Sequence, residues 1–143
     1  MRETALGDVL VLDLTETFWG GIAAAMLGDF GADVARIESL DPKQRCFPDV
    51  DETHEPGSWN FRFDLAHRNK RSIAVDLESE TGRAIVHALV AKADLVLTDR
   101  SSAWLEERGV LTQPEMEALQ KRWAEALADM ARAVKEEPLP DGS

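Results

Sequence analysis

The stretch from Asp8 to Glu38 constrains the fold more than any other part of the chain. "DVLVLDLT" (8–15) is short, rich in Val and Leu, and reads as a buried strand. In "FWGGIAAAMLGDFGAD" (18–33), Ile22, Ala23, Met26, Leu27 and Phe30 recur at helical spacing. Gly31 ends that helix, where a left-handed residue is wanted. "VARIE" (34–38) alternates and reads as a second strand. Strand, helix and strand within about 30 residues make a βαβ unit. Its strands are parallel, and its crossover is expected to be right-handed.

Residues 39–68 show no clean period and contain Pro42, Pro48, Pro56 and Gly57. Trp59, Phe61 and Phe63 alternate near the end of this stretch, so part of it is expected to pack. "SIAVDL" (72–77) reads as a third strand. A helix follows, capped by Ser79, with Ile85, Val86, Leu89 and Val90 as its buried face. "ADLVLTD" (93–99) reads as a fourth strand, and a short helix from Ser102 to Arg108 stops at Gly109.

Thr112-Gln-Pro-Glu115 is a capping box with Pro in the first turn. Met116, Leu119, Trp123, Leu127, Met130 and Val134 then form one apolar stripe on a helix of about six turns. The expectation is that this stripe folds back over the chain's own sheet. If it stays exposed, it predicts a partner. Pro138 and Pro140 end the helix, and 137–143 reads as a flexible tail.

The order is that of an α/β layered domain with a mainly parallel sheet of about four strands, flanking helices and a long C-terminal amphipathic helix. Ligands in such folds bind outside the carboxyl ends of the strands. Those ends fall at Thr15–Gly21, Ser39–Pro42, Leu77–Glu80 and Thr98–Ser102.

The chain's 143 residues suffice for one domain, and its net charge of −11 argues against nucleic acid as a partner. No run approaches the ~20 apolar residues of a membrane span, and the first residues lack the apolar core of a signal peptide. Cys46 is the only cysteine, so a disulfide framework and a thiolate metal cluster are excluded. A cytoplasmic location is the expectation.

Against this acidic background, "RNKRS" (68–72) is a local basic knot. Arg68, Lys70 and Arg71 either attract a polyanion or pair with nearby carboxylates. Gly20-Gly21 either offers amides to a phosphate or carboxylate or simply allows tight packing of helix on sheet. The dinucleotide pattern G-x-G-x-x-G and the P-loop pattern are both missing. His54, His67 and His87 lack metal-ligand spacing; His87 reads as structural, and His67 sits beside the basic knot. Asp13, Asp76 and Asp99 lie near strand ends, as acids, bases or nucleophiles, or as caps. Ser101 and Ser102 lack a nucleophile-elbow context, and Cys46 has no local base.

Four segments together, "VLVLDLT", "GGIAAAMLGDFGADVARIE", "LAHRNKRSIAVDLESETGR" and "ADLVLTD", resemble the N-terminal part of the family III CoA-transferases of CaiB/BaiF type. This is the formyl-CoA transferase / α-methylacyl-CoA racemase superfamily, and the resemblance spans residues 7–111. It implies a Rossmann-like sheet that binds coenzyme A along its carboxyl edge. The implied contacts are Phe18 and Trp19, Ser39, the run Val75, Asp76, Leu77 and Glu78, and the run Asp99, Arg100 and Ser101. Lys70 and Arg71 fall on the family's N-K-R-S segment and are partly structural in this reading.

The departures are specific. Trp19-Gly20-Gly21 stands where the family has A-G-P, Ser39 where a basic residue often follows the glutamate, and Asp99-Arg100-Ser101-Ser102-Ala103 where N-F-x-P-G is common. These changes predict weak coenzyme A binding. The family's nucleophilic aspartate lies well beyond the fourth strand, and no residue of this chain inherits its role. The chain therefore reads as a truncated CoA-transferase domain (1–111) with an appended amphipathic helix (112–136). It is expected to bind CoA or acyl-CoA and to need a partner, as a homo-oligomer or with a larger CoA-transferase subunit. The alternative is a non-catalytic family member that serves protein interaction.

Overall fold

The structure, a computed structural model, describes residues 4–40 and 60–136. The elements run β1 (Leu10–Asp13), α1 (Phe18–Asp29), β2 (Asp33–Glu38), α2 (Phe61–His67), β3 (Lys70–Ala74), α3 (Glu80–Val90), β4 (Leu95–Leu97), α4 (Ser102–Glu107) and α5 (Gln113–Glu136). Cys46, His54, Trp59 and the tail 137–143 lie outside the described residues.

The four strands form one parallel sheet in the order β3-β2-β1-β4. From β1 the chain crosses to β2 on one side, and after β3 it crosses to β4 on the other. The strand order therefore reverses between β1 and β4. In an open α/β sheet that point is where a ligand crevice forms. β1 is central and almost fully enclosed, with Val11, Leu12 and Asp13 all at most 2 % exposed.

Local chemistry explains the helix ends. Thr17 caps α1, Ser79 caps α3 and Ser101 caps α4, each side chain accepting an amide from the first turn. Gly31, at φ +103°, turns the chain from α1 toward β2. At Gly82 the first turn of α3 presses on the preceding loop: a Cβ there would lie 1.9 Å from the Asp76 carbonyl oxygen.

Two cores result. One gathers Leu12, Leu14, Ile37, Val86, Val90, Leu105, Val110 and Leu111 between the sheet and the helices α3 and α4. The other packs Val11, Ala24, Ala32 and Val34 under α1.

The sequence expectations shift in four places. The alternating aromatics before residue 64 belong to a helix, α2, which Asn60 caps by accepting the Phe63 amide at 3.0 Å. β3 begins two residues earlier than expected, because its ladder with β2 starts at Val34↔Lys70; Val75–Leu77 form the turn beyond it. Ile85 is 38 % exposed rather than part of the buried face of α3, which is made by Gly82, Val86 and Val90.

The fourth shift concerns α5. Met116 and Leu119 pack against the core, and Arg122 donates to the Ala93 carbonyl at 2.7 Å. Trp123 and Leu127, further along the same stripe, are 48 % and 47 % exposed. The helix covers the chain's own core only over its first turns.

Candidate functional site

A cavity of about 800 Å³ opens at the carboxyl ends of β1, β2 and β3. Its walls are the β1–α1 connection (Leu14–Glu16), the end of β2 (Arg36–Leu40), the β3–α3 turn (Val75–Glu78) and the α4 region (Arg100, Trp104, Leu105, Arg108 and Val110). Three guanidinium groups and four carboxylates (Glu16, Glu38, Asp76 and Glu78) are among the lining side chains.

The floor is built on a buried ion cluster. Asp13 and Arg36 are register partners in the β1–β2 ladder, so their side chains emerge side by side on one face. Arg36 approaches the Asp13 carboxylate at 3.5 Å and donates to the Thr15 carbonyl at 2.9 Å. The Lys70 ammonium reaches the same carboxylate oxygen at 2.7 Å and the Gly21 carbonyl at 2.8 Å. Thr15 supplies its amide and hydroxyl to the other Asp13 oxygen, at 3.0 and 2.6 Å. Burial pushes the Asp13 carboxyl up. The charge of Lys70 and the hydrogen bonds from Lys70 and Thr15 outweigh that, and hold it below the usual aspartate range. Nearby, burial and then the charges of Arg36 and Lys70 push His67 down to about 3. It is a neutral imidazole at physiological pH.

The rim carries the exposed charges. Arg100 pairs with Glu16, and Arg108 pairs with Glu78 at 2.6 Å. Both guanidinium groups lie over the Trp104 ring, 4.7 and 5.0 Å from its centroid. Asp99 turns away from the cavity. One of its oxygens accepts the amides of Glu16 and Thr17 at 2.9 and 2.7 Å, at the start of α1.

The predicted site residues divide accordingly. Ser39, Val75, Asp76, Leu77, Glu78 and Arg100 line the cavity. Ser101 caps α4 through the Trp104 amide. Phe18 and Trp19 form an edge-to-face pair on the first turn of α1, outside the lining, with Trp19 70 % exposed. Lys70 and Arg71 lie at the amino end of β3, about 16 and 13 Å of strand from Val75. Arg71 pairs with Asp33 on the surface, whereas Lys70 is enclosed behind Asp13. Neither residue is among the cavity's lining: Lys70 holds the buried cluster beneath it, and Arg71 is paired on the surface.

Gly20 and Gly21 are likewise structural. Their amides bond to Thr17, and a Cβ at Gly20 would lie 2.7 Å from the Thr15 Cβ. Outside the site, His87 ties α3 to its neighbours, facing Glu115 at 2.7 Å and the Gly109 carbonyl at 3.1 Å.

Sequence reasoning passed over Glu16, Arg36, Trp104 and Arg108. Arg36 left a signal: it shares strand parity with buried Val34, so a charge was directed into the protein and required an anion beside it. The other three converge only when α4 closes the end of the sheet.

This is a doubly wound α/β domain with a cavity at the carboxyl edge of its sheet. The chain belongs to CoA-transferase family III, whose family model matches residues 6–123. It is 34% identical over 108 residues to the succinyl-CoA–D-citramalate CoA-transferase of Chloroflexus aurantiacus, covering 73% of this chain and 26% of the relative. It is 32% identical over 120 residues to the succinyl-CoA–L-malate CoA-transferase alpha subunit of the same organism, covering 82% and 27%. Among solved structures, a CaiB/BaiF family protein from Brucella suis superposes with a TM-score of 0.64 at 30% identity, covering 82% of this chain and 31% of that one. The chain spans about a quarter of the length of the curated relatives it matches. Among the described residues, no helix is long and apolar enough to cross a membrane.

Proposed function

We propose that this chain binds coenzyme A or an acyl-CoA in the carboxyl-edge cavity and contributes that cradle to CoA transfer between carboxylates. The group that attacks the thioester comes from a partner chain. The observation that carries this reading is the cavity itself. It lies where a doubly wound sheet takes its ligand, and its volume falls within the range of small-molecule sites. Arg100 and Arg108 are suited to the ligand's phosphates. Ser39 and the Val75–Glu78 turn supply backbone to its other side.

The need for a partner has two supports. The carboxylates that line the cavity already have partners: Glu16 and Glu78 face arginines, Glu38 faces Arg36, and Asp76 accepts the Glu78 amide. A similar protein is an alpha subunit of its enzyme. On this reading residues 1–111 are the cradle and 112–136 a helix that joins it to the partner, in the cytoplasm.

Calorimetry with coenzyme A and with 3′-dephospho-CoA tests the binding. Weak but measurable affinity, lower for the dephospho form, is expected; no heat with either ligand refutes the reading. The isolated chain is expected to transfer no CoA between an acyl-CoA and a free acid, and turnover by the pure protein removes the need for a partner.

A second reading is a non-catalytic interaction protein, favoured by the exposure of Trp123 and Leu127 on α5. A tight partner complex formed by a chain that binds no CoA would support it.

A further inference from the structure

We infer that Glu16 and Glu78 are resident anions: they occupy the two rim arginines that a phosphorylated ligand needs, and so set the cavity's preference against densely charged ligands. For the ligand's identity this rests on the coenzyme A reading. For the charge effect it rests on the geometry of the mouth.

Both ion pairs cross the opening. Arg100 and Arg108 stand on the α4 wall, 4.7 and 5.0 Å from the centre of the same Trp104 ring. Their carboxylate partners come from two other walls, Glu16 from the β1–α1 connection and Glu78 from the β3–α3 turn. All four side chains line the cavity. An anion that enters and takes either guanidinium must displace a carboxylate already there or accept its repulsion.

The pairs are of the displaceable kind. Their side chains are 39 % and 46 % exposed in one pair, 49 % and 76 % in the other. Exposed pairs of this sort are weak. Two further amides, those of Glu16 and Thr17 just before α1, are held more firmly. Asp99 holds both amides through charge-assisted hydrogen bonds. A phosphate is therefore directed to the arginines rather than to these two amides. Stacking against Trp104 keeps each guanidinium in place when its carboxylate leaves. Glu16 and Glu78 are specificity-determining residues in this account. They lower affinity for a pyrophosphate-bearing ligand without blocking it.

The test measures ADP and coenzyme A binding by calorimetry to the wild-type chain, to the Glu16→Gln/Glu78→Gln variant, and to that variant with Arg100→Gln/Arg108→Gln added. The double variant is expected to bind both ligands roughly two- to thirty-fold more tightly, the factor that two exposed ion pairs of ordinary strength represent. The gain is expected to vanish in the fourfold variant. A gain in affinity is not an effect of misfolding. Unchanged or weaker ADP binding by the double variant overturns the inference. So does a gain that survives loss of the arginines. An ADP gain with no coenzyme A binding by any of the three proteins upholds the inference and removes the coenzyme A reading.

Discussion

The Lys70 ammonium lies 2.7 Å from the Asp13 carboxylate, although 57 residues separate the two in the chain and β2 lies between their strands. Both side chains are at most 1 % exposed, and Arg36 faces the same carboxylate at 3.5 Å. Breaking a buried ion pair costs about 3–5 kcal/mol because the surviving charge loses its compensation. Asp13→Asn leaves two buried cations facing each other, whereas Lys70→Met leaves Asp13 with Arg36. Urea denaturation is expected to show the larger loss for Asp13→Asn, and a combined cost well below the sum of the two. Equal and additive losses would mean that the cluster does not act as a unit.

His67 makes stability depend on pH with a definite sign. It stays neutral in the folded chain down to about pH 3, while the unfolded chain takes up a proton on this side chain near pH 6.5. Stability therefore falls as pH drops below about 6.5 and continues to fall toward 3. Asp13 adds a second loss only below about pH 4, where the unfolded carboxyl protonates before the folded one. Of the charged groups facing His67, Arg36 and Lys70 oppose its protonation and Asp13 favours it. His67→Gln is expected to flatten the urea midpoint between pH 7 and pH 4.5; parallel profiles for the two proteins would contradict this.

Gly82 is required by contact and not by its own dihedral angles. A Cβ at this position meets the Asp76 carbonyl oxygen at 1.9 Å and its carbon at 2.7 Å, both rigid backbone atoms. Gly82→Ala is expected to cost about 1–3 kcal/mol despite the better helix propensity of alanine. Thermal unfolding measures it, and a stabilised variant would show that the β3–α3 turn yields freely.

The stripe on α5 divides at about its middle. Leu119 packs against the core, whereas Leu127 is 47 % exposed. In the isolated chain Leu119→Ala is expected to lower stability by about 1–3 kcal/mol, and Leu127→Ala to stay within about 0.5 kcal/mol. Denaturant midpoints compare them, and light scattering reports association. A large loss for Leu127→Ala in a monomeric sample would place the distal helix against the chain itself.

The sequence alone determined the described elements other than α2, and their order. Val and Leu runs, the helical spacing of Ile22 to Phe30, the Ser79 cap and the Thr112–Glu115 capping box act over one or two turns. Such signals are written in consecutive residues. They sufficed for a parallel α/β sheet and for the carboxyl edge as the place where a cavity opens. Asp76, Glu78 and Arg100 were also legible there, through the resemblance; only the tertiary structure added Glu16, Arg36 and Arg108 and decided how the charges pair. Lys70 looked like part of a cationic rim, but its ammonium is buried beneath the cavity against Asp13. Glu16, Glu78, Arg100 and Arg108 come from three separate connections and meet only because strand order and the seat of α4 bring those connections to one opening. Coulomb forces act through space, so the partner of a charge is set by the fold and not by the residues next to it in the chain.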